Sequence, residues 1–315
     1  MKPETTPNKH VGKPVPAKET LRFATGRGEY IANIQLPNMW HAAQLSSPHA
    51  HARILSIDSS DALKLEGVKG VLLGKEVPSM TNPFPAAGVS PAAKYYCMAV
   101  DKVRFVGEPI AVVVAKDRYI AEDAVDLINV EYEPLPAVTD QEEALKEGAP
   151  ILHEELGSNL LNHRLLHWGN VDDALKGVDT VVVEDRFEFH SYTGMPIETF
   201  GVIARYDSME DYLTIWANFI GPFTAYYLAQ MALKMPENKI RLIVPRDIGG
   251  AYGIKTGIYP DMVRIALAAK KFGCTVKWIQ DRREHILAGG RHSGRISYGN
   301  LRQLVPGFEL RIFRA

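Results

Sequence analysis

The chain has 315 residues, enough for two ordinary domains of roughly 100–200 residues, each with its own core. Lys and Arg total 36 against 37 for Asp and Glu, a formal net charge of -1, so the overall balance draws the chain neither to nucleic acid nor to an anionic membrane surface. The two cysteines, Cys97 and Cys274, lie far apart without CxxC spacing, which excludes a disulfide framework, a zinc ribbon and a cysteine-ligated iron–sulfur cluster within this sequence.

Residues 1–20 hold four prolines and several lysines in a polar stretch, which predicts a flexible leader without the apolar core of a signal peptide. No other segment reaches the roughly 18 apolar residues of a membrane span. The expectation is a soluble cytoplasmic protein. Order is expected from near Leu21, with short β runs between Tyr30 and Ile57 broken at Pro37 and Pro48, a helical turn over Asp61–Leu65 and a strand over Val68–Leu73. Pro78–Ala93, rich in Pro, Ala, Gly and Ser, reads as a surface loop. Ile110–Ala115 is a continuous apolar run suited to a buried strand. Tyr119–Ile128 then puts Ile120, Ala124, Leu127 and Ile128 on one helical face, and Asn129–Tyr132 forms a strand closed by Pro134 and Pro136. Glycines and a proline interrupt any period between 137 and 170, which predicts a linker.

The second half reads as strands at Val181–His190, Val202–Tyr206 and Tyr212–Ala217, then a helix opened by Pro222 with Phe223, Tyr226, Tyr227, Met231 and Leu233 as its apolar face. A strand at Ile240–Val244, a loop at Arg246–Lys255, a helix at Tyr259–Lys271 and a strand at Thr275–Ile279 complete the expected order.

The sharpest local signal is Asp247-Ile-Gly-Gly-Ala-Tyr-Gly-Ile-Lys255, a glycine-rich loop between a predicted strand and a predicted helix. Such loops bring backbone N–H groups close to a ligand, and a tight turn serves the same composition equally well. Ile254 separates Gly253 from Lys255, so the loop is not a Walker A motif, and its glycine spacing does not match GxGxxG. His49 and His51, two apart, with His41 upstream, raise a metal site, but no thiol or carboxylate completes a ligand set and a polar loop after Pro48 accounts for them. Glu198 reads as a surface glutamate, with a buried acid or base as the alternative. The charge run Asp281-Arg-Arg-Glu-His285 reads as a solvated loop or helix start, and no Ser-His-Asp or Cys-His constellation emerges.

As an ordered set, several segments resemble the xanthine dehydrogenase, aldehyde oxidase and carbon monoxide dehydrogenase family, in its molybdopterin-binding large subunit. Ser47-Pro-His-Ala-His-Ala-Arg-Ile54, Gly67-Val-Lys-Gly-Val71, Val103-Arg-Phe-Val-Gly-Glu-Pro-Ile-Ala-Val-Val-Val114 and Glu131-Tyr-Glu-Pro-Leu-Pro136 are similar to its α/β hammerhead domain. Pro196-Ile-Glu-Thr-Phe-Gly201, Gly249-Gly-Ala-Tyr-Gly-Ile-Lys255 and Asp281-Arg-Arg-Glu284 resemble motifs that open its molybdenum-binding domain. The resemblance implies an α+β chain: a leader over 1–20, an α/β hammerhead domain over 21–140, a linker over 141–170 and the first part of a molybdenum-cofactor-binding domain over 171–315.

It further implies a molybdenum–molybdopterin cofactor, with or without a dinucleotide extension, and Gly250, Ala251, Tyr252 and Gly253 as cofactor-binding residues. FAD and 2Fe-2S clusters are expected on partner subunits, and the implied reaction is hydroxylation of an aldehyde or N-heterocycle with oxygen from water. Two departures stand out. Ile220 occupies the position where the family has a glutamine that donates to a metal oxygen, and isoleucine has no donor. Asn218, two residues away, would stand about 6–7 Å from that position on a strand. The family's subunits are also more than twice as long, with the catalytic glutamate and most pterin dinucleotide contacts in the further part. A separate chain could carry that remainder; a non-catalytic fragment or assembly module, and a nucleotide-binding protein using the glycine loop, are the alternatives.

Overall fold

The structure is a computed structural model that describes residues 12–84, 93–166, 168–170, 180–289, 291–292 and 294–304. A seven-stranded mixed sheet organises it. In chain order the strands are β1 (Met39–Ser46), β2 (Ala52–Asp58), β3 (Val68–Leu73), β4 (Lys102–Val103), β5 (Pro109–Ala115), β6 (Asn129–Pro134), β7 (Thr180–Phe189), β8 (Tyr192–Thr193), β9 (Gly201–Asp207), β10 (Tyr212–Ala217), β11 (Ile240–Ile243), β12 (Thr275–Ile279), β13 (Arg291–His292) and β14 (Arg295–Leu304). The large sheet runs β11-β10-β9-β12-β1-β5-β3, beside a three-stranded β4-β2-β6 sheet and the antiparallel pairs β7–β14 and β8–β13.

The join between the two halves of the chain is the parallel pair β1–β12, with Met39 opposite Thr275 and His41 opposite Lys277. β5 is buried along nearly all of its length because it lies between β1 and β3 and is covered on both faces. Ala111 and Val113 face the Arg118–Asp126 helix, whereas Val112 and Val114 join the core under the Tyr259–Phe272 helix, as alternation along a strand requires. Asp117 starts the first of these helices by accepting the N–H of Ile120 at 2.9 Å. The Tyr259–Phe272 helix is buried almost all round, from Met262 to Ala269, because the Pro222–Leu233 helix covers the side that the sheet leaves.

Two expectations about helix faces and one about a loop change. On the Pro222–Leu233 helix the buried residues are Ala225, Ala229, Ala232 and Leu233, while Phe223 is 88% exposed and Tyr227 is exposed too. Alanines let two helices approach closely, so the small residues form the contact, with Tyr226 half-buried against the core, and Phe223 and Tyr227 do not take part. On the Arg118–Asp126 helix Ala121 and Ala124 are the buried residues, and Leu127, just beyond its end, is exposed. The predicted surface loop begins with a helical turn, Val77–Met80, and its residues 85–92 lie outside those described.

Among its described residues the predicted linker carries only short 3-10 turns at Glu143–Leu145 and Glu154–Leu156, and residues 167 and 171–179 lie outside those described. Glu154 pairs with Lys102 at 2.6 Å and Arg104 Nε donates to the Leu152 carbonyl, which fastens this stretch to β4 and the residue after it. Among the described residues no helix is long and apolar enough to cross a membrane.

Candidate functional site

The glycine loop leaves β11 and leads into the Tyr259–Phe272 helix, so its tip stands at one end of the large sheet. Its backbone demands its composition. Gly250 (φ +96°) and Gly253 (φ +85°) lie in the left-handed region, and Tyr252 joins them at φ +50°. At Gly249 a Cβ would stand 2.5 Å from the Cβ of Glu198, so only glycine fits.

Both stems of the loop are fastened by carboxylates. Asp247 accepts two hydrogen bonds from the Arg22 guanidinium, one of them at 2.6 Å, and a third from the N–H of Glu29 at 2.7 Å. Its own N–H donates to the Glu29 carbonyl. The Arg22 hydrogen bonds hold the Asp247 carboxyl down at about 2. On the other side Glu198 accepts the Gly249 N–H and the Lys255 ammonium, both at 2.8 Å, and the N–H of Ile31 at 3.4 Å. The Lys255 side chain is 0% exposed and that of Glu198 13%. Burial lowers the Lys255 pKa and Glu198 opposes that shift, as expected of a buried cation kept charged by its partner.

The tip has a different character. Tyr252 is 70% exposed, and Gly250 and Gly253 are exposed as well. Among the described residues no carbonyl or side chain accepts the N–H of Gly250, Ala251 or Gly253; the loop's internal bonds run from Ile254 to the Ala251 carbonyl and from Thr256 to the Gly253 carbonyl. The structure therefore brings the four expected residues to one exposed turn with amides to spare, an arrangement that could donate to an anionic or oxo group lying on the loop.

The segment 194–197 flanks this turn, with Pro196 against Gly250 and Gly194 against Tyr252. Helix Arg282–Ala288 secures it. Arg282 Nη2 donates to the carbonyls of Pro196 and Ile197, each at 2.8 Å, and His285 Nε2 lies 3.0 Å from the Gly194 carbonyl. The charge run is thus a helix start, in which Asp281 accepts the Glu284 N–H and Glu284 returns the contact to the Asp281 N–H.

The other candidates serve the scaffold. His51 Nδ1 lies 2.7 Å from the Pro136 carbonyl, and the His49 ring packs on Tyr132 with centroids 4.7 Å apart. Asn218 is fully buried and spends its amide on Gly201 and Thr199, so it offers nothing to a ligand. Ile220 is fixed beside the loop by its N–H, which donates to the Lys255 carbonyl at 3.4 Å. Glu198, read from pattern as a surface residue, is instead a half-buried anchor. Arg22 and Lys255 went unassigned, although Glu198 and Lys255 both sit inside the motif segments quoted above, which is the signal that could have paired them.

Two family models match this chain in order. Residues 25–136 match "Aldehyde oxidase and xanthine dehydrogenase, a/b hammerhead domain" and residues 152–300 match "Molybdopterin cofactor-binding domain". The chain belongs to the molybdenum hydroxylase family. Within that family it corresponds to the N-terminal part of the large subunit, in the α+β arrangement expected from its sequence. It is 36% identical over 281 residues to the carbon monoxide dehydrogenase large chain of Afipia carboxidovorans, covering 85% of this chain and 34% of that one. Against the nicotine 6-hydroxylase large subunit of Paenarthrobacter nicotinovorans it is 34% identical over 282 residues, covering 89% and 34%. The crystal structure of quinoline 2-oxidoreductase from Pseudomonas putida 86 superposes with a TM-score of 0.81 at 35% identity, covering 91% of this chain and 36% of the other. The chain thus spans about a third of the length of these molybdenum hydroxylases.

Proposed function

We propose that the chain is the front portion of a molybdenum hydroxylase large subunit and that Gly250, Ala251, Tyr252 and Gly253 form its share of the cofactor site. The observation that carries this reading is the loop tip, where the amides of Gly250, Ala251 and Gly253 have no protein acceptor among the described residues while both stems are tied down. Amides held in left-handed turns suit an anionic or metal–oxo group, so the residues present fit a molybdenum–molybdopterin cofactor. When bound, that group supplies the oxygen-transfer and two-electron redox chemistry. This chain's own part is to orient the group by hydrogen bonds from the loop and to shield one side of it with Tyr252. The general base comes from the remainder of the subunit.

The reaction is hydroxylation of an aldehyde or an N-heterocycle with oxygen from water, with electrons leaving through 2Fe-2S clusters and FAD on partner subunits. Quinoline and nicotine, for which two of the relatives are named, are N-heterocycles and support that half of the substrate class. Multisubunit assembly is supported by relatives named as a large chain and a large subunit.

The test is elemental analysis for molybdenum on the chain purified from its native source, with co-purifying subunits identified by mass. The expected result is near-stoichiometric molybdenum together with iron–sulfur and flavin subunits and a polypeptide supplying the remainder. A well-folded chain without molybdenum would replace this reading with an assembly module that carries no catalysis.

A further inference from the structure

Three of the nine residues from Asp247 to Lys255 adopt positive φ, and a loop so built has many other conformations open to it. What holds it is not the loop itself. The two carboxylates at its stems, Asp247 and Glu198, both accept a backbone N–H from one short N-terminal segment, Asp247 from Glu29 and Glu198 from Ile31. That segment is fastened in turn to the large sheet, because Lys277 on β12 donates to the carbonyls of Ala32 and Ile34 at 2.8 and 2.9 Å. Each carboxylate also has its own cation, Arg22 for Asp247 and Lys255 for Glu198. A carboxylate taken out of water without a cation would be strongly disfavoured, so each cation compensates the carboxylate that grips the backbone.

We infer that Asp247 and Glu198, held by Arg22 and Lys255, are positioning residues that fix the direction of the loop-tip amides from the N-terminal segment 22–31. Among the described residues neither carboxylate accepts a hydrogen bond from the tip; their action passes through the Asp247 main chain and the Gly249 N–H on the first stem and through the Lys255 ammonium on the second. The inference depends on the proposed function only for what the amides face. The fixing of the loop is a property of this chain alone.

The experiment has two readouts on Arg22→Leu, Lys255→Met and the core control Ile203→Val. The first is hydrogen exchange of the full chain. Exchange at Gly249, Ile254 and Thr256 is expected to rise at least about tenfold in Lys255→Met, and at Glu29 and Asp247 in Arg22→Leu, as loss of one charge-assisted hydrogen bond predicts for a local opening, with β9 unchanged. The Ile203→Val control, which melts earlier without touching the loop, should leave those sites protected. The second readout is molybdenum per chain in the native complex, expected to fall severalfold in both loop variants, to stay full in the control, and to return when Arg22 is replaced by Lys instead of Leu.

Unchanged exchange in both loop variants overturns the positioning role, and Arg22→Leu decides it if Lys255→Met fails to fold. Raised exchange with full molybdenum overturns the link to the cofactor. Absence of molybdenum from the unsubstituted complex refutes the proposed function, and exchange still decides whether the carboxylates position the loop.

Discussion

Trp40 on β1 lies opposite Val276 on β12 in a parallel ladder, so the stretch matching the hammerhead model and the stretch matching the cofactor-binding model share one sheet. Neither can lose its strand without exposing a row of unpaired N–H and C=O groups on the other. Unfolding of the whole chain, followed by circular dichroism and by tryptophan fluorescence, is therefore expected to give coincident single transitions. Two separated transitions would show that the shared ladder does not couple the halves.

Gly74 and Gly70 should differ in their tolerance of alanine. At Gly74 a Cβ would stand 1.7 Å from the Ala99 carbonyl oxygen, which is backbone, whereas at Gly70 it would stand 2.3 Å from the ring of Phe272, which can turn. Gly70→Ala is expected to cost about 1 kcal/mol and Gly74→Ala about 3 kcal/mol or more, read from urea unfolding. The reverse order would mean that the Phe272 ring is the more rigid neighbour.

Asn218 bridges the Gly201 N–H and the Thr199 carbonyl at the mouth of the β9–β10 hairpin. Asn218→Ala leaves both groups buried without partners, at an expected cost of about 2–4 kcal/mol. Asn218→Asp keeps the acceptor for Gly201 but sets a buried carboxylate without a cation against the Thr199 carbonyl, so it should melt well below the parent at neutral pH and regain stability as pH falls and the carboxyl is protonated. A neutral Asn218→Ala would argue that water replaces the amide.

Burial pushes the carboxyl groups of Glu108 and Glu284 up to about 7, although each accepts a backbone N–H that favours the ionised form. Unfolded, such a group releases its proton near 4.5, so between 4.5 and about 7 the folded chain holds protons that the unfolded chain has lost. Stability must fall as pH rises through that window and level off above it. Asp247 acts in the opposite sense: held near 2, its contribution is complete above the ordinary carboxylate range and is lost as pH falls toward 2. Glu108→Gln is expected to match the parent near pH 4 and to exceed it by up to about 3 kcal/mol near pH 8. An equal difference at both pH values would show that Glu108 does not titrate in that window.

What the sequence determined by itself was the series of elements and the family motifs. The strands Val68–Leu73, Tyr212–Ala217 and Thr275–Ile279 match their predicted limits residue for residue, because each is a short β-type run bounded by turn or charged residues. The resemblance of the segment Gly249–Lys255 to the family's glycine-rich motif pointed to the four residues at the loop tip. Which faces are inside was decided by tertiary packing, since Ala225 and Ala229 carry little hydrophobic signal yet make the close helix contact that Phe223 and Tyr227 do not. The anchors of the loop were decided in the same way. Arg22 and Asp247 are 225 residues apart, and Glu198 looks like any exposed glutamate until the fold lays Ile31, Gly249 and Lys255 around it. Periodicity reports what a residue's near neighbours in the chain require, whereas the partner of a buried charge is set by how distant segments are stacked on the sheet.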